Sequence, residues 1–145
     1  MIKNALFNYL NHKKNLNIAL TAVPGKEYLD LIDIGAAGGL EPRWKAIEKH
    51  LFYIGFEPDE RSIKEIEEKL NNVKHKVIHP VPLWSSNKLI NFNLCRRPEV
   101  SSVFQPNDIF LSKFPNSRRF EVVSQDSLDC VQLDNLNIDN CDFMK

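Results

Sequence analysis

The stretch Leu31–Trp44, LIDIGAAGGLEPRW, decides the fold. An apolar run closes on an acid, Asp33, enters a glycine-rich turn and reaches Pro42. A proline suits the first turn of a helix, because the N–H it lacks would have had no partner there. Trp44, Ile47 and Leu51 recur at helical spacing and give that helix an inner face. Upstream, Pro24-Gly25 marks a turn, and YLDLIDI reads as a short, nearly continuous apolar strand, the pattern of a parallel strand buried on both faces. The unit then repeats. LFYIGFE is a second strand, Asp59 is placed to cap the next helix, and Ile63, Ile66 and Leu70 line that helix up to Asn71-Asn72. The expectation is an α/β fold with a mostly parallel sheet built from βαβ units.

Further along, KVIHPVPLW contains Pro80 and Pro82, which cannot donate to a ladder, so this strand is expected at a sheet edge and to end at Leu83 and Trp84. Ser85-Ser86-Asn87 reads as a turn into LINFNL, a hairpin partner for it. A long connection of mixed polarity, RRPEVSSVFQPNDIFLSKFPNSRRF, comes next. FEVVS is expected as a short strand, Ser127 as the cap of a short helix carrying Leu128 and Val131, and CDFMK as one more buried strand. At the other end, Ile2, Ala5, Leu6, Tyr9 and Leu10 recur at helical spacing, so residues 1–27 read as a helical extension of one domain over residues 1–145.

Composition narrows the function classes. The 145 residues are 43% hydrophobic and 26% charged, which fits a single globular domain with a real core. The 19 basic and 19 acidic residues cancel, so no overall positive field argues for nucleic acid, and no basic amphipathic helix argues for a membrane surface. No run approaches the roughly 18 apolar residues of a membrane span, and the N-terminus lacks a signal-like core and cleavage site; a soluble, cytoplasmic protein is expected. Cys95, Cys130 and Cys141 form no CxxC pair and are odd in number, so neither a metal site nor a disulfide framework is indicated and free, mostly buried thiols are expected. Six acids between Glu121 and Asp142 face Lys145 alone, the pattern of a solvated face.

The glycine turn carries the chemistry. Asp33 ends the first strand and Glu57 the second, at a separation close to the roughly 20 residues at which an acid reaches a ribose hydroxyl. A nucleoside-bearing ligand follows. NAD and FAD place a pyrophosphate on free amides at a helix N-terminus. Here Glu41 stands at that terminus, Pro42 removes a donor, and the glycine pattern is GxxGG rather than GxGxxG. A pyrophosphate is therefore disfavoured. S-adenosylmethionine carries no phosphate and presents an ammonium, a carboxylate and a sulfonium, so acids near the turn help it. Asp33 would serve the methionine end, and Glu57 would accept both ribose hydroxyls.

With LIDIGAAGG, YIGFEPD, the VPLW strand end, EVSSVFQPN and the closing CDFMK in this order, the chain resembles the FkbM-type family of S-adenosylmethionine-dependent methyltransferases from about residue 31 onward. The resemblance implies a Rossmann-like methyltransferase fold that O-methylates saccharides or other small hydroxylated metabolites. It places Asp33, Gly35, Ala36, Ala37 and Gly38 around the methionine and ribose, Glu57 on the ribose diol, and Pro58, Leu83 and Trp84 at the adenine. In the family, the strand matching CDFMK continues into a lysine-aspartate-glycine segment and a further half-sheet. Here Lys145 ends the chain, so the fold is expected to be incomplete at that end.

Methyl transfer to a hydroxyl is mainly alignment of donor and acceptor, with a base taking the proton. His79 is the candidate base on the third strand, with His12, His50 and His75 at helix ends and turns, and the base stays unassigned. Arg96 and Arg97 read first as part of a solvated loop and alternatively as a grip for an anionic sugar or phosphate substrate, and Ser101 and Ser102 as lining a lid. A second reading stays open: a non-catalytic nucleoside-binding or interaction module, homo-oligomeric or completed by a partner chain, because the final strand would otherwise expose an unpaired edge.

Overall fold

The computed structural model describes residues 26–145, so the helix expected over Ile2–Leu10 and the histidine at 12 lie outside the described residues. Within them the protein is a mixed α/β structure. Strands β1 (Leu29–Ile34), β2 (Leu51–Phe56), β3 (His75–His79) and β6 (Phe143–Met144) form a four-stranded sheet in the order β3-β2-β1-β6, with all three pairings parallel. Strands β4 (Lys88–Cys95) and β5 (Val122–Cys130) form a separate antiparallel pair. Among the described residues the α-helices are α1 (Glu60–Lys69) and the single turn α2 (Asp108–Leu111).

Both faces of β1 and β2 are buried, as their apolar runs predict. The period of two along a strand sorts their side chains onto opposite faces. Leu29, Leu31, Leu51 and Tyr53 pack on one face with Ile66 of α1, its C-cap Leu70 and Val73. Ile32, Ile54 and Phe56 pack on the other with Leu133, Leu136 and Ile138. The segment Pro42–His50 winds as a 3₁₀ helix, in which three residues per turn bring Trp44 and Ile47 into line against the first of these cores. Leu51 is not the third member of that face, as α-helical spacing suggested. It opens β2, opposite Leu29.

Asp59 caps α1 as the sequence predicts, accepting from the Arg61 N–H at 3.1 Å. It does more than cap. The Arg61 guanidinium binds the same carboxylate through Nε at 2.8 Å and donates to the Cys95 carbonyl at 2.9 Å, while the Ser101 hydroxyl reaches Asp59 at 3.3 Å. Burial raises the Asp59 pKa, but the side-chain and backbone hydrogen bonds of Arg61, its charge and the Ser101 hydroxyl outweigh burial and hold it below the usual range. This network fastens the β4–β5 pair to the start of α1.

Four expectations are corrected. Strand β3 occupies the sheet edge but stops at His79, and Leu83 makes only an isolated parallel bridge with Val131, because Pro80 and Pro82 interrupt the donors between them. LINFNL pairs with β5, not with β3. The helix expected at Ser127 is absent: Leu128 lies within β5, whose ladder with β4 takes up the whole segment. Finally, β6 is not buried, since Phe143 and Met144 are 40% and 54% exposed at the other sheet edge. Of the thiols, Cys95 and Cys130 are buried and Cys141 is exposed, all three free.

Gly55 sits one residue before the end of β2 with the Tyr53 ring lying beside it: a Cβ there would meet Tyr53 Cε1 at 2.8 Å and the Ala36 Cβ at 3.3 Å. Gly55→Ala is expected to destabilise the protein by about 1–3 kcal/mol through overpacking, read as a lower denaturation midpoint. An unchanged midpoint would mean that Tyr53 is free to move away.

Candidate functional site

Strand order reverses at β1, which has β2 on one side and β6 on the other. In open parallel sheets, ligands sit outside the carboxyl ends of strands at such a point. A cleft of about 220 Å³ lies there. Gly35 and Ala37 form its floor on the β1 side, Glu57 and Pro58 on the β2 side. Leu83 and Trp84 line it from the segment after β3, and Glu99 with Ser101 and Ser102 from the segment after β4.

The turn is wired from inside. The N–H groups of Gly35 and Ala36 both donate to the Phe56 carbonyl at 3.0 Å, and the Gly39 N–H donates to the Ala36 carbonyl at 2.8 Å. The Ala37 N–H donates to Glu57 Oε2 and the Asp59 N–H to Glu57 Oε1, each at 2.8 Å. Positive φ angles of 75° at Gly35 and 86° at Gly38 let the chain fold back over the strand end, a conformation open to glycine at little cost. Glu57 is 3% exposed. Burial pushes its pKa up; the Asp59 and Ala37 amides pull the other way, and the charges of Asp59 and Asp33 add to the rise. Each Glu57 oxygen keeps a lone pair for a ligand donor.

Six of the nine sequence-predicted site residues line the cleft together: Gly35, Ala37, Glu57, Pro58, Leu83 and Trp84. Gly38 lies just past it, on a neighbouring cavity of about 490 Å³ that shares Ala37 and is lined by Glu41, Lys45, Lys69 and Lys145. Ala36 is fully buried in the core beneath the turn. Asp33 is not on the cleft. The alternation along β1 sends it to the same face as Leu29 and Leu31, where it is 1% exposed, accepts from the Tyr53 hydroxyl at 2.8 Å and pairs with the Lys145 ammonium at 3.0 Å. Burial, then the Asp33 charge and hydrogen bond, drive the Tyr53 pKa far above its ordinary value, so the phenol stays a donor.

The described histidines do not line the cleft. His79 stacks on Phe56 at 4.9 Å and borders a cavity beside Asn137–Asn140 instead of the cleft, and His75 stacks on Phe52. Ser101 and Ser102 do line the cleft, but as part of a strap: Ser101 Oγ accepts from the Cys95 N–H, and Ser102 exchanges backbone bonds with Asn93. Glu99 and Phe92 are cleft residues that the sequence did not single out; both arrive through the antiparallel return of β4, which has no local sequence marker. Comparison with family models, with curated proteins and with solved structures finds no match for this chain.

A carboxyl whose pKa is raised on folding adds stability below its unfolded value and loses that increment as pH climbs through the folded value. The free protein should therefore lose stability, relative to Glu57→Gln, as pH rises from the ordinary 4.5 through the raised pKa of Glu57. Denaturant unfolding of both proteins across acid to neutral pH measures it. A pH-independent difference would place Glu57 in a more solvated setting.

Proposed function

We propose that the cleft binds the adenosyl part of S-adenosylmethionine and that the chain is a Rossmann-like methyltransferase, or its cofactor-binding half, acting on a hydroxyl of a saccharide or similar small metabolite. The observation that carries this reading is the internal use of the turn's amides. Gly35, Ala36, Ala37 and Gly39 all donate within the protein, and the acid that takes one of them faces the cleft. A pyrophosphate finds few free donors and a neighbouring carboxylate, both unfavourable. A phosphate-free cationic nucleoside finds a diol acceptor.

The adjoining cavity supports the same assignment. Its mixed lining of Glu41 with Lys45, Lys69 and Lys145 suits an amino-acid zwitterion, the acid taking an ammonium and the lysines a carboxylate. The two cavities meet at Ala37, so a ligand in both would run along the turn. Asp33 then serves as a positioning residue that holds Lys145, in place of touching the ligand. The bound cofactor would supply a methyl group on a sulfonium. Glu99, the second carboxylate on the cleft, would take the acceptor's proton, and the half-buried Leu83 and Trp84 would help exclude water.

Calorimetric titration with S-adenosylhomocysteine and with NAD tests the reading. Binding of the first and not the second is expected, and Glu57→Ala should weaken it by about 1–3 kcal/mol, roughly 5- to 150-fold. Binding of NAD alone would reverse the assignment. The exposed edge strand β6 favours one further reading, a nucleoside-binding module completed by another strand. That module would bind S-adenosylhomocysteine equally well yet transfer no methyl group to any hydroxylated acceptor.

A further inference from the structure

Beside the cleft, Arg96, Arg97, Arg118 and Arg119 line one cavity of about 370 Å³, with Asn116 as its remaining wall. The two pairs come from opposite ends of the long connection and are brought together by backbone. The Arg96 N–H donates to the Glu121 carbonyl at 2.8 Å and the Arg97 N–H to the Arg119 carbonyl at 3.1 Å, which prolongs the β4–β5 pairing past its strands. Asn116, at a φ of 63°, turns the chain into the 3₁₀ turn Ser117–Phe120 that carries the second pair. The guanidinium groups are therefore hung on a fixed frame.

Four like charges around one cavity repel unless anions offset them. Two do have carboxylates: Arg96 pairs with Glu121 at 2.7 Å and Arg97 with Glu99 at 3.2 Å. Both pairs are substantially exposed, and such pairs are held weakly and exchange readily. Among the described residues, Arg118 and Arg119 form no ion pair; Arg119 lies over the Phe120 ring at 4.6 Å, and Arg118 acts on Glu121 only through space. The cavity keeps excess positive charge and a set of planar N–H forks, the geometry that binds a tetrahedral oxyanion through paired hydrogen bonds. It also borders the cleft. Pro98 and Glu99, next in the chain after Arg97, are cleft residues, and Glu99 is the partner of Arg97.

We propose that Arg96, Arg97, Arg118 and Arg119 form an oxyanion site for the phosphate or sulfate ester of the molecule whose hydroxyl enters the cleft. The link to that hydroxyl rests on the methyl-transfer reading; the anion site does not. An acceptor anchored there would extend from the arginines past Glu99, which pairs with Arg97 and lines the cleft, to bring its hydroxyl in. Its ester group displaces the exposed carboxylates from Arg96 and Arg97 and gains the two unpaired guanidinium groups.

The test is arginine Nε–Hε NMR on the full chain, titrated with inorganic phosphate, inorganic sulfate and glucose 6-phosphate, with sodium chloride at matched ionic strength as control. Saturable shifts at the four arginines are expected, and the stronger of phosphate and sulfate identifies the ester. Arg118→Ala with Arg119→Ala should weaken binding about tenfold or more. The Arg118→Lys, Arg119→Lys pair, which keeps charge and loses the fork, should weaken it by less than the alanine pair. A response equalled by chloride, or undiminished in the alanine pair, would overturn the site. So would shifts produced only by phosphatidylserine vesicles, which would mark a lipid surface instead. S-adenosylhomocysteine titrated into the same samples separates the two ideas: anion binding without it leaves this site standing and removes the methyl-transfer reading, and the reverse result removes this site alone.

Discussion

Glu57 joins two turns that would otherwise be independent. One oxygen holds the Ala37 amide of the glycine turn after β1, the other holds the Asp59 amide that leads into α1. The sheet brings the two strand ends side by side, with Ile34 opposite Phe56, and the carboxylate then fixes how the chain leaves each of them. A buried acid with raised pKa is unfavourable in isolation, and the two backbone donors are what make it tolerable at this depth. The same carboxylate also lines the cleft, together with Glu99. Structure and proposed chemistry thus depend on one side chain, which holds both turns and lines the cleft.

A second junction sets the Glu99 side of the cleft. Asp59, Arg61, Ser101 and the Cys95 carbonyl tie α1 to β4, and through β4 to the strap that brings Glu99 over the glycine turn, where a Cβ on Gly38 would come within 3.7 Å of Glu99 Cγ. The excursion between β4 and β5 is consequently more than a loop. It supplies one side of the cleft, and its two ends pair to present the arginine cavity next door. The position of an acceptor relative to a cofactor would follow from how rigidly this junction is held, since transfer between bound groups is governed by their alignment.

Much of the first half of the fold was legible because its signals are local. The apolar run at Leu29–Ile34, the glycines, Pro42 and Asp59 each act within a few residues, and they mark strand, turn, helix start and cap correctly. Reading failed where geometry is non-local. Asp33 looked like a ligand contact because it ends a strand, yet strand alternation turns it toward Tyr53, and its pairing with Lys145 spans most of the chain. Ser127 looked like a helix cap because its neighbours are apolar at helical spacing; pairing with β4 overrode that weak preference. Glu99 and the meeting of Arg96–Arg97 with Arg118–Arg119 depend on an antiparallel register that no short motif announces.

The most direct measurement is the pKa of the Glu57 carboxyl by carbon-13 NMR, with and without S-adenosylhomocysteine. In the free protein the value lies above the ordinary 4.5. When two ribose hydroxyls donate to the carboxylate, the anion is favoured and the pKa falls. A pKa that stays where it was under saturating ligand, or rises, would contradict the account at its centre, because the acid would then have no part in holding the nucleoside.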